Sequence, residues 1–166
     1  WPERSHGRLY CVAHDLLVQA LASLGVAGAR RHGAVACDTK PQIDEPVGDA
    51  ASGVEPFLCF ERRTEHDAVL GAAKIAGSAQ RKRRGAVLQH GSVLLGKSQF
   101  APTLLGVEEL VHVSVSSGQL IAAWQPLLAD ALSLRLSPAP LAPATAAEAR
   151  RVLDEKFAAE AWLKRR

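Results

Sequence analysis

Residues 74–92 constrain this chain more than any other stretch. They read Lys74-Ile75-Ala76-Gly77-Ser78-Ala79-Gln80-Arg81, then a basic turn, then Gly85-Ala86-Val87-Leu88-Gln89-His90-Gly91-Ser92. One lysine stands in an uncharged run of apolar and small residues. The polar set Gln89, His90 and Ser92 interrupts a segment that otherwise reads as an apolar strand. A polar patch inside such a segment must find hydrogen-bond partners or face a site. Small residues let the backbone approach a ligand closely. The pattern suits a narrow site that grips an extended ligand with backbone and a few side chains.

Lys74 lies among Ala72, Ala73, Ile75 and Ala76, so its ammonium is expected at a desolvated wall. There it can hold a carbonyl or carboxylate oxygen, or stabilise charge that develops on one during acyl transfer. A solvated strand lysine is the alternative. For Gly77-Ser78-Ala79 the alternative is a bulge in an ordinary strand, and for His90 a hydrogen-bonded core histidine. Cys59, in Pro56-Phe57-Leu58-Cys59-Phe60, reads locally as a small hydrophobe between aromatics. Arg81, Lys82, Arg83 and Arg84 could pair phosphates. No aromatic residues interleave with them, so base stacking is not supported and nucleic acid is not expected.

The run Lys-Ile-Ala-Gly-Ser-Ala-Gln-Arg, a short basic turn and Leu-Gln-His-Gly-Ser resembles the core motif of the lipoate-protein ligase and octanoyltransferase family. The likeness is one of residue type, order and spacing over residues 57–95. It implies that Lys74 contacts an acyl carbonyl and is required for transfer. It further implies that Gly77, Ser78, Ala79, Gln80, Gln89, His90, Gly91 and Ser92 line the acyl pocket, and that Asp67 opens the strand before the lysine. Cys59-Phe60 resembles the segment of the cysteine-dependent octanoyltransferase branch that carries its nucleophile. Arg81, Arg83 and Arg84 would dock an acidic acceptor domain.

The function implied is transfer of an octanoyl or lipoyl group onto a lysine of a lipoyl domain, as in 2-oxoacid dehydrogenases or the glycine cleavage H protein. A transferase would use octanoyl-acyl carrier protein and no cofactor. A ligase would use free lipoate, ATP and magnesium. A basic, non-enzymatic binding module is the remaining alternative. Cys11 and Cys37 lack such context and are expected to be inert. The family's earlier motif, an arginine with a glycine-rich segment and a histidine, is absent. It is expected N-terminal to Trp1, so the sheet is expected to lack N-terminal strands. The absence of any methionine agrees with a fragment.

A length of 166 residues with 48% apolar and 22% charged residues suits one globular domain, residues 1–166. No apolar run approaches the roughly 20 residues of a membrane span, and Trp1-Pro2-Glu3-Arg4-Ser5-His6 has no apolar core like that of a secretory signal. A cytoplasmic protein with no membrane partner is expected. Three cysteines without paired spacing argue against a disulfide framework and a structural metal.

Apolar periodicity predicts a helix over residues 9–24 with Gly25 as its cap. A short strand at 26–29, a long loop over 38–55 and strands at 57–60 and 67–70 follow. Residues 74–80 and 86–95 form a hairpin, with another strand over 107–115 and helices over 119–134 and 145–162. Val152, Leu153, Phe157, Ala161 and Trp162 are expected to face inward. Together these predict an α+β fold with a mixed sheet and packed helices, like that of biotin/lipoate protein ligases.

Overall fold

The structure, a computed structural model, describes residues 6–33, 58–84 and 86–164. The loop expected over 38–55 and Cys37 lie outside these. The chain divides into two compact units, residues 1–134 and 135–166.

Helix α1 (His6–Ser23) opens the first unit. Cys11, Ala13, His14, Leu17, Ala20 and Leu21 are its buried side, at the three- and four-residue spacing of one helical face. It ends at Gly25 (φ 88°), where Val26 N–H donates to Leu21 O at 3.0 Å and Gly25 N–H to Ala22 O at 3.1 Å. These two bonds are a Schellman cap. The sheet follows in the order β1 (Ala29–Arg31), β2 (Ala68–Leu70), β3 (Ala73–Arg83), β4 (Ala86–Val93). The α+β class holds. Among the described residues every strand pairing is antiparallel, where a mixed sheet was expected. α1 packs on β1, β2 and β3. The core joins Leu17, Leu21, Val26, Ile75 and Val107, each at most 1% exposed.

β3 and β4 form the expected hairpin, in register from Ala76↔Val93 to Arg83↔Ala86. Arg84 takes φ 50° at the connection, as a two-residue turn of matching twist needs. Residues 57–60 do not extend into a strand: Cys59–Glu61 is a 3-10 turn, and Phe57 lies outside the described residues. Residues 107–115 are not a strand either. Val107–Val111 is a short helix, α2. Its start is held by Glu109, whose carboxylate accepts from Gly106 N–H at 2.9 Å and Lys97 N–H at 3.0 Å. That cap settles the ambiguity of a short apolar run. α3 (Ser117–Ala131) begins with a capping box, in which Gln119 N–H donates to Ser116 Oγ and Ser116 N–H to Gln119 Oε1. α3 packs against α1.

The second unit does not contain the single helix expected over 145–162. α4 (Pro143–Val152) runs into a π turn, Leu153–Phe157, and α5 (Glu160–Leu163) follows after a break. Ala158 N–H donates to Leu153 O at 2.8 Å, the wider i→i+5 bond that ends regular winding. Leu153, Phe157, Ala161 and Trp162 are exposed and Val152 half-buried, contrary to the inward packing expected. Phe157 and Trp162 meet edge-to-face at 5.2 Å, with the Lys156 ammonium 4.8 Å from the Trp162 ring.

Leu21 has no exposed surface. Leu21→Ala should lower unfolding free energy by about 2–5 kcal/mol in urea titration. Leu141→Ala, at a 65% exposed position, should change it by less than about 0.5 kcal/mol.

Candidate active site

The first unit contains a cavity of about 340 Å³ between α1, α3 and the β3–β4 hairpin. That volume is within the range of about 300–1,000 Å³ typical of small-molecule sites. Apolar side chains from the two helices, among them Leu9, Ala13, Leu17, Leu128 and Leu132, form one wall. Gly77, Ser78, Gln89, His90, Gly91 and Ser92, all singled out from the sequence, form the other. Ala79 and Gln80 do not line it.

The hairpin wall is tight at its glycines. A Cβ on Gly91 would lie 2.4 Å from Gly77 O and 2.8 Å from Ser78 Cβ. A Cβ on Gly77 would lie 2.6 Å from Lys74 Cε and 3.1 Å from an Asp67 carboxylate oxygen. The Lys74 side chain therefore lies across Gly77, at the margin of the cavity it does not itself line. Its Nζ is 2.8 Å from Asp67 Oδ2 and donates to Arg62 O at 3.2 Å and Cys59 O at 3.3 Å. The Phe60 ring centre is 5.5 Å away. The two side chains of the ion pair are 10% and 5% exposed. Asp67 is held in turn by Thr64, whose N–H and hydroxyl donate to Oδ2 at 2.7 and 3.1 Å. Cys59 thus shares its turn with the ligands of Lys74, and its thiol is free and exposed, unlike the buried residue that its aromatic neighbours suggested. Arg81, Arg83 and Arg84 are exposed at the far end of the hairpin.

Sequence reasoning did not single out Tyr10 and His14. Both lie in the helical stripe Tyr10, His14, Leu17 and Leu21, and that spacing was the available signal. His14 is 3% exposed and lines the cavity. Its Nδ1 meets His66 O in a short contact. A carbonyl only accepts, so Nδ1 carries the proton. Nε2 then accepts from the Ser78 hydroxyl at 3.0 Å. Ser78 Oγ in turn accepts from Gln89 Nε2 at 3.2 Å, and Gln89 Oε1 accepts from Gln80 Nε2 at 2.7 Å. Tyr10 Oη donates to Ser78 O at 2.9 Å. Burial pushes the His14 pKa down and that of Tyr10 up, so both are neutral at pH 7. Gln80 therefore acts at one remove: it orients Gln89, which orients Ser78. Among the described residues no group of three His, Cys, Asp or Glu side chains has the geometry to hold a metal ion. No described helix is long and apolar enough to cross a membrane.

Residues 3–112 match the lipoyl protein ligase A/B catalytic domain family. The chain belongs to that family. It is 27% identical over 167 aligned residues to Octanoyltransferase LipM of Symbiobacterium thermophilum, covering 88% of this chain and 57% of that one. Octanoyltransferase LipM of Halalkalibacterium halodurans is 25% identical over 143 residues, covering 74% of this chain and 51% of its own length. The chain thus spans about half the length of the curated relatives it matches. Its fold is similar to that of a T. acidophilum protein described as a lipoate protein ligase and solved with bound lipoic acid. There the TM-score is 0.66 at 19% identity, with 98% of this chain and 60% of that one covered.

The depressed His14 pKa predicts a pH effect on stability. His14 stays neutral when folded but takes a proton in the unfolded chain below about pH 6.5. The unfolded state then binds more protons, so stability falls as pH drops through that value and levels off below the folded pKa. The urea midpoint should be lower at about pH 5.5 than at about pH 7.5. His14→Gln should make that difference smaller, and an undiminished difference would remove His14 as its source.

Proposed function

We propose that this chain supplies the catalytic domain of an octanoyl or lipoyl transferase acting on lipoyl-domain lysines. The observation that carries the reading is the Lys74 ammonium lying across Gly77, where the apolar cavity ends, and bonded to Cys59 O in the turn that bears the free thiol. An acyl chain lying among Leu9, Ala13, Leu17 and Leu128 would bring its carbonyl to Lys74. The Cys59 thiolate attacks the thioester carbonyl of octanoyl-acyl carrier protein, and Lys74 stabilises the developing oxyanion. The C–S bond to the carrier breaks and the carrier thiolate takes up a proton. The amine of the acceptor lysine then attacks the Cys59 thioester, forms the amide, loses a proton and releases the Cys59 thiolate. Arg81, Arg83 and Arg84, exposed on the hairpin tip, offer positive charge to an acidic acceptor domain. The likeness to octanoyltransferases supports this route, which needs no cofactor. A ligase route through ATP and magnesium is the second reading, favoured by the likeness in fold to a lipoate protein ligase.

Incubation with octanoyl-acyl carrier protein and no ATP should give one octanoyl adduct by intact-mass spectrometry, removed by hydroxylamine. Cys59→Ser should give none. Lys74→Ala should slow adduct formation by about 10²–10³-fold, the cost of losing one oxyanion donor. Modification appearing only with free lipoate or octanoate, ATP and magnesium would replace the thioester route with the ligase route.

A further inference from the structure

The transfer reaction places an amine of the enzyme itself beside an acyl thioester. Lys74 Nζ lies 3.3 Å from Cys59 O, in the turn that bears the nucleophile. Lys74 is also the group that meets the developing oxyanion, so the thioester carbonyl carbon comes within its reach. Well-oriented groups held in this way react as if present at about 10⁵–10⁸ M, far above any concentration of an acceptor lysine. A free amine at Lys74 would therefore take the octanoyl group before the acceptor could. Attack by Nζ would form a C–N bond and break the Cys59 C–S bond, and the amine proton would pass to the departing thiolate. The products are an amide on Lys74 and a free Cys59 thiol. Such an amide does not pass its acyl group on, and it removes the cation from the site.

Only the neutral amine is a nucleophile, because the ammonium has no lone pair. Three acceptors surround Nζ: Asp67 Oδ2 at 2.8 Å, Arg62 O at 3.2 Å and Cys59 O at 3.3 Å. They match the three N–H bonds of an ammonium. A neutral amine has two N–H bonds, and its lone pair would face the third acceptor. The shortest of the three contacts is the one to the carboxylate. Asp67 is itself fixed, since Thr64 N–H and hydroxyl donate to the same Oδ2 at 2.7 and 3.1 Å. We propose that Asp67 makes the transfer selective for the acceptor lysine. It keeps Lys74 an ammonium, able to stabilise the oxyanion by its charge and unable to take the acyl group. The proposal rests on the acyl-transfer reading above. Asp67 is a positioning residue in it, acting through Lys74.

The test loads the whole protein from octanoyl-acyl carrier protein with no acceptor present, followed by intact mass, hydroxylamine treatment and peptide mapping. The wild-type adduct should be lost completely to hydroxylamine, with Lys74 unmodified. In Asp67→Asn most of the octanoyl mass should resist hydroxylamine and map to Lys74. Asp67→Asn combined with Lys74→Arg should give no resistant adduct, because a guanidinium does not take the acyl group. Thr64→Val removes one bond to the carboxylate and leaves the ion pair. It should give the same Lys74 amide in a smaller share, and it carries the test if Asp67→Asn does not fold. A purely structural Asp67 would slow loading in these variants and produce no amide at Lys74. Adducts that stay hydroxylamine-labile in every folded variant, or an amide on Lys74 of the wild type, would overturn the proposal. A wild type that takes no acyl group onto Cys59 from the carrier would overturn the transferase reading instead. Cys59 octanoylated by exchange with a small octanoyl thioester would then still report whether Asp67 blocks the shift to Lys74.

Discussion

The ion pair between Lys74 and Asp67 organises the rest of the site. It is nearly dry, and removing one partner of such a pair costs about 3–5 kcal/mol because the other charge is left buried alone. The 3-10 turn at Cys59–Glu61 supplies one carbonyl to the ammonium, Arg62 the next, and Thr64 secures the carboxylate. The pair thus ties the turn before β2 to the start of β3, and it fixes a cation at the margin of the cavity, across Gly77. Gly77 has no side chain because the lysine occupies that space.

In the hairpin wall Ser78 and Gln89 are tied into a hydrogen-bonded chain, while His90 and Ser92 are exposed. Gln80, Gln89, Ser78 and His14 form a directed chain that ends on the His66 carbonyl. Each member's donor or acceptor role follows from the neutral, Nδ1-protonated state of His14. Bonded in this way, Ser78 and Gln89 line the cavity at less cost than unpaired polar groups would. The same wall explains why small residues recur along both strands: β3 and β4 approach so closely at Ser78 and Gly91 that a methyl group would not fit.

Much of this was legible in the sequence because it is local. The α1 periodicity, the Gly25 cap and the hairpin around its basic turn follow from short-range pattern, and six of the eight residues expected to line an acyl pocket do border one cavity. What was not legible depends on long-range contact or on a cap competing with periodicity. Ser78 and His14 are 64 residues apart in sequence, so nothing local announced their bond. α2 formed where a strand was expected because Glu109 captures two backbone N–H groups, which periodicity does not register. The last helix broke at a π turn, and its aromatic residues are exposed with a lysine over their rings.

The central claim is that an acyl chain lies between α1, α3 and the hairpin with its carbonyl at Lys74. The most direct test is photo-crosslinking with an octanoyl thioester that carries a diazirine at the far end of the chain, followed by peptide mass mapping. The account predicts label on Leu9, Ala13, Leu128 or Leu132, the apolar wall away from Lys74. Label confined to exposed hairpin positions such as Val87 and Leu88, or to residues 135–164, would contradict it.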